Sequence, residues 1–64
     1  MKKFYQVVTT SDLSYDEWIQ YEGYSLKEAK AKLKFERFYC DKHHFVELRV
    51  YKSENDLDEY NVIM

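Results

Sequence analysis

The sequence predicts an α+β domain: a four-stranded, mainly antiparallel sheet in the chain order β-β-α-β-β, with one helix packed across one face. Three observations lead there. Residues 24–37 carry an amphipathic helical pattern, opened by Ser25 with Glu28 three residues on, the signature of a capping box. Residues 45–51, Phe-Val-Glu-Leu-Arg-Val-Tyr, alternate apolar and charged side chains as a half-buried strand does. The arms on either side of the helix are rich in β-branched and aromatic residues and are interrupted by polar clusters.

The elements can be taken in order. Residues 3–10 read as a strand, with Phe4, Gln6 and Val8 on one side and Tyr5, Val7 and Thr9 on the other. Both rows are partly apolar, which fits a strand covered on both faces. Residues 11–16 are a polar turn. Residues 17–24 admit two readings. As a helix, Ser14 and Glu17 would cap it and Gly23 would stop it. As a strand, Ile19 and Tyr21 would point one way and Trp18, Gln20 and Glu22 the other. The strand is preferred, because Trp-Ile-Gln-Tyr is β-prone and the helix would span barely two turns.

The helix from Leu26 has a legible wheel. Leu26, Ala29, Leu33 and Cys40 form one apolar stripe, and Lys27, Lys30, Lys34 and Arg37 an adjacent basic one. Ala31, Phe35, Phe38 and Tyr39 form a second apolar patch on the opposite side. One sheet cannot bury both stripes, so the second patch either meets another part of the chain or is left for a partner. Residues 41–44 are a connector, 52–59 an acidic loop, and 60–64 a short closing strand. The expected core is Val7, Ile19, Tyr21, Leu26, Ala29, Leu33, Val46, Leu48, Val50 and Val62.

Size and composition narrow the function. The 64 residues make one domain, 1–64, and a chain this short buries only about 60 % of the surface its unfolded form exposes. Cys40 is the sole cysteine, so no intrachain disulfide can compensate. Seven Tyr, four Phe and one Trp supply apolar area instead, and a homodimer is a further expected source of burial. The N-terminal apolar run is too short and interrupted for a secretory leader, and no stretch reaches the roughly 20 apolar residues of a membrane span. With one thiol, these features point to the cytoplasm. Abundant Lys, Tyr and Phe with a single Gly and no Pro match AT-rich codons, hence a low-GC bacterium or a phage.

Four constellations invite chemistry. Cys40 and His43 have the spacing of half a zinc site, but the chain holds no second Cys/His pair, so neither a metal site nor any other cofactor is expected. A Cys40–imidazole nucleophile would need a pocket and an oxyanion hole, and there is no glycine-rich phosphate loop; catalysis is not expected. Asp12, Asp16 and Glu17 in the first turn, with Glu54, Asp56, Asp58 and Glu59 in the second, would form one negative patch if both turns left the same end of the sheet. Asp56 and Asp58 lack the glycine and closing glutamate of a calcium loop.

The basic stripe Lys27, Lys30, Lys34 and Arg37 could follow a phosphate backbone while Tyr5, Trp18, Tyr21 and Tyr51 stack bases, giving a nucleic-acid binder. The net charge of −2 does not favour it. The leading expectation is a non-catalytic interaction module. Its partner interface would be Ala31, Phe35, Phe38 and Tyr39, because large exposed apolar patches are uncommon on monomers.

Overall fold

Aromatic and β-branched residues dominate the first strand, and the computed structural model of the chain, which describes residues 3–64, makes it the centre of the sheet. The elements are β1 (Phe4–Ser11), β2 (Glu17–Gly23), α1 (Leu26–Phe38), β3 (His44–Tyr51) and β4 (Asn61–Val62). The sheet order is β2-β1-β3-β4, and every neighbouring pair is antiparallel. The expected β-β-α-β-β chain thus forms, and residues 17–23 are strand.

Ser25 caps α1 by accepting the Glu28 amide at 3.1 Å. The other half of the expected box is diverted: the Glu28 carboxylate accepts the Tyr21 hydroxyl at 3.2 Å, tying the helix start to β2. Ala29 and Leu33 then meet Val7, Val46 and Leu48 in the core, with Tyr5, Tyr21, Leu26 and Cys40 packed around them. The register explains the choice: Tyr5, Val7 and Thr9 lie opposite Val50, Leu48 and Val46, so all six face α1. Among the described residues no helix is long and apolar enough to cross a membrane.

The core differs from expectation at six residues, among them Val50, which is half-buried and outside the apolar cluster. Ile19 is 56 % exposed rather than buried. A bulge between Val7 and Val8 pairs Val7 with Tyr21 but Val8 with Ile19, so Gln20 is an extra residue and Ile19 turns to the face away from α1. The same bulge puts Trp18 opposite Thr9. Val62 sits opposite Arg49 on a two-residue edge strand and is exposed, and the predicted strand 60–64 is largely irregular, although Ile63 and Met64 bond Leu48 through the backbone. Conversely, Phe4, Val8 and Tyr51 are buried on the face without the helix.

That second face is held by long polar and aromatic side chains. Arg49 on β3 forms a bidentate pair with Glu17 on β2, at 2.7 and 3.3 Å, and a 2.7 Å bond to Glu47. The reach from β3 to β2 crosses β1 at Val8, which is 1 % exposed. Tyr60 lies against the guanidinium at 4.3 Å, the Tyr51 hydroxyl donates to Gln6, and Gln6 donates to Glu22. Burial by itself would release the Arg49 proton, but the carboxylates of Glu17 and Glu47 hold it more tightly than in water.

The two acidic turns do not share an end of the sheet. Because β1 and β3 are antiparallel neighbours, the β1–β2 turn leaves beside the start of β3, where Asp12 donates its amide to His43 and Ser11 pairs with His44. The 52–60 loop leaves the opposite end, where Tyr51 pairs with Phe4. A single seven-carboxylate patch is therefore ruled out.

Candidate interaction surface

Among the described residues, no element packs over the second apolar stripe of α1. One layer of sheet takes Ala29 and Leu33, and the helix's outward residues stay in water. Ala31 is exposed there beside Phe35, Phe38 and Tyr39, which are 55 %, 80 % and 70 % exposed. The rings pack on one another, with Tyr39 5.0 Å from both Phe35 and Phe38, and the Lys32 ammonium lies 5.1 Å over Phe35. The expected interface residues thus form one contiguous aromatic cluster at the C-terminal half of the helix.

Beside the cluster lies a feature that sequence reasoning missed. A shallow groove of about 480 Å³ runs between α1 and β2, lined by Tyr21, Glu28, Ala31, Lys32 and Phe35. It borders the free side of β2, an edge strand with a neighbour on one side only. Its one legible signal was the wheel position of Ala31 and Phe35; the approach of Tyr21 depends on the path from Gly23 into Ser25.

The two edges of the sheet are treated differently. On the outer edge of β3, the His44 carbonyl accepts the Cys40 thiol, the Val46 carbonyl accepts two bonds from Arg37 at 3.0 and 3.2 Å, and Leu48 bonds Ile63 and Met64. That edge is capped by side chains and by the C-terminal segment. No comparable cap covers β2 among the described residues.

The basic stripe is exposed at Lys27, Lys30 and Lys34, while Arg37, also exposed, is engaged with Val46. The proposed base-stacking rings do not join it. Tyr5 and Tyr21 pack under α1 and Tyr51 is buried on the opposite face, so of the four only Trp18, on the α1 face and 46 % exposed, lies open. Alternation fails as a guide here because the bulge and the helix cover were not visible in it.

Cys40 and His43 are not drawn together into a site. The thiol donates to backbone carbonyls of Asp41 and His44, while His43 Nδ1 lies 3.4 Å from Asp12. Burial, with Asp41 nearby, pushes the Cys40 thiol above its ordinary pKa, the opposite of an activated nucleophile. The hydrogen bond from His44 at 2.6 Å, with a second from the His43 amide, holds the Asp41 carboxyl below its usual range. Among the described residues no group of three or more His, Cys, Asp or Glu is placed to hold a metal ion.

No family model matches this chain, and neither a curated protein nor a solved structure matches it.

Proposed function

We propose that the chain is a small, non-catalytic, cytoplasmic interaction module that binds another protein through the aromatic cluster on α1. The observation that carries this reading is the exposure of Ala31, Phe35, Phe38 and Tyr39 as one patch. Burying three rings of this size removes on the order of several hundred Å² of apolar surface, a patch size that is often functional and could form the apolar centre of a larger contact. Self-association through the same patch, giving a homodimer, is the other form the contact can take. The compositional bias fits an accessory protein of a low-GC bacterium or a phage.

Affinity capture from the native host, with the tagged chain as bait, tests it. A partner, or untagged copies of the chain, is recovered by the wild type and lost with Phe38→Asp and with Phe35→Asp while both variants stay folded. Unchanged recovery in both variants, with a monomeric mass at micromolar concentration, refutes the patch.

One observation favours a second reading. Lys27, Lys30 and Lys34 are exposed in a row, and such a row can follow a phosphate backbone. Salt-sensitive retention on single-stranded DNA or RNA, abolished by Lys30→Glu with Lys34→Glu, would favour nucleic-acid binding over protein binding; absence of retention at low salt ends it.

A further inference from the structure

We propose that the open edge of β2 receives an extended segment of a partner protein, added as a further strand, with apolar side chains toward α1 and lysine or arginine on the opposite face. This rests on the protein-binding reading above and specifies how the partner is held.

The backbone phase comes first. Leu48 turns its amide and carbonyl outward to Met64 and Ile63, so the residues of β3 bonded to β1 are the odd-numbered ones. Their partners on β1 include Gln6 and Thr10, which therefore bond β3 and not β2. The residues opposite these on β2 are Glu22 and Glu17, whose backbone groups must point away from the sheet. An incoming strand finds unmet donors and acceptors there, the basis of strand addition.

Side chains give the two faces different tastes. Toward α1, β2 presents Trp18, Gln20 and Tyr21, and the groove beyond has an apolar floor of Ala31 and Phe35 flanked by Glu28 and Lys32. On the other face it presents Glu17, Ile19 and Glu22; β2 carries no cation of its own, and because Arg49 from β3 already pairs with Glu17, Glu22 is the carboxylate left for an incoming cation. An added strand alternates its side chains between those faces. Aliphatic residues on one row would enter the groove, and cations on the other would lie beside Glu22.

Charge also argues against a second copy on this edge. In an antiparallel pairing of β2 with itself, outward-bonding residues must meet outward-bonding residues, and the register of fullest overlap sets Glu17 against Glu22. Like charges directly opposite are destabilising. Arg49 offsets part of that repulsion at Glu17, but Glu17, Glu22 and Glu47 against one cation leave the face net negative, so the edge disfavours itself and favours a basic strand.

The test uses the full chain, ¹⁵N-labelled, and an end-blocked synthetic peptide of alternating residues, Lys-Val-Lys-Val-Lys-Val-Lys. Saturable binding is expected, with amide shifts at Glu17–Gly23, Ala31 and Phe35 and slowed exchange of the Glu17 and Glu22 amides. Glu22→Lys weakens it about fivefold to tenfold, Glu22→Gln about threefold, and the Glu-Val analogue of the peptide does not bind. Phe38→Asp leaves peptide binding intact, since Phe38 lies outside the groove, so failure of the edge and failure of the aromatic patch are read separately. Absence of shifts in β2 up to millimolar peptide overturns the proposal. So does a dimeric mass without peptide in which the β2 amides are already protected, because a second copy then holds the edge.

Discussion

Toward α1, β1 is sealed by a second layer, with Val7 under Ala29 and Leu33 and flanked by Leu48. Away from α1 there is no helix, yet Val8 is as inaccessible as Val7. The cover there comes from within the sheet: the Arg49 stem stretched toward Glu17, with Tyr60 against the guanidinium. The difference teaches that a 64-residue chain too small for two apolar layers can still bury a central strand on both sides. One side uses packing alone; the other uses long amphipathic side chains whose polar ends are satisfied.

Removing a core side chain from the α1 face should cost most. Leu48→Ala is expected to lose about 2–5 kcal/mol, against a total of roughly 3–10 kcal/mol for a domain of this size, measured by urea unfolding followed by circular dichroism. On the opposite face the corresponding lesion is Arg49→Ala, which uncovers Val8 and strands two carboxylates. About 2 kcal/mol is expected, because Glu17 is half in water and can rehydrate. Arg49→Met keeps the cover and loses only the ion pairs, for about 1 kcal/mol. If the two Arg49 variants are equally unstable, cover is not what the side chain supplies.

Acid sharpens the contrast. The hydrogen bonds from Arg49 hold the Glu17 carboxyl below its ordinary 4.5. A depressed folded pKa contributes stability that is fully present above the unfolded value and is lost as pH falls through the folded one. The gap between wild type and Arg49→Met is therefore expected to hold above about pH 4.5 and to close below it, in unfolding curves taken at stepped pH. Leu48→Ala should show no such closure.

Smaller effects follow at single hydrogen bonds. Tyr51→Phe leaves the Gln6 side-chain oxygen without its 2.8 Å donor in a buried site and should cost about 1 kcal/mol. At the rim of the α1 face, Cys40→Ala should cost about 0.5 kcal/mol by uncapping the His44 carbonyl, and Cys40→Ser should recover most of that. A thiol reagent should react with Cys40 at neutral pH more slowly than with an exposed cysteine, given the raised pKa.

Patterns of short range were legible in the chain. The Ser25 cap, the Ala29/Leu33 stripe, the inward Val46 and Leu48, and the outward aromatic patch all express a period of 3.6 or 2 and are present in the fold, whereas Val50 is only half-buried beside a buried Arg49. Ile19 departs from simple alternation because one inserted residue, Gln20, reverses the face of everything on its far side in the strand. Alternation assigns Glu47 and Arg49 to the outward, solvated row of β3, yet Arg49 is 6 % exposed. Nothing local announces that Glu17, 32 positions from Arg49, will arrive to pair with it.

Local periodicity was enough for α1, β1 and β3, their order and which helix stripe is buried, since each depends on residues within a few positions of one another; residues 17–24, open to strand or helix, became strand by pairing with β1. Three matters rest on contacts between distant parts of the chain: the burial of β1's second face, the opposite placement of the acidic turns, and the contrast between a capped β3 edge and an open β2 edge. These turn on strand order and register, which arise only when segments far apart in sequence compete for the same partners.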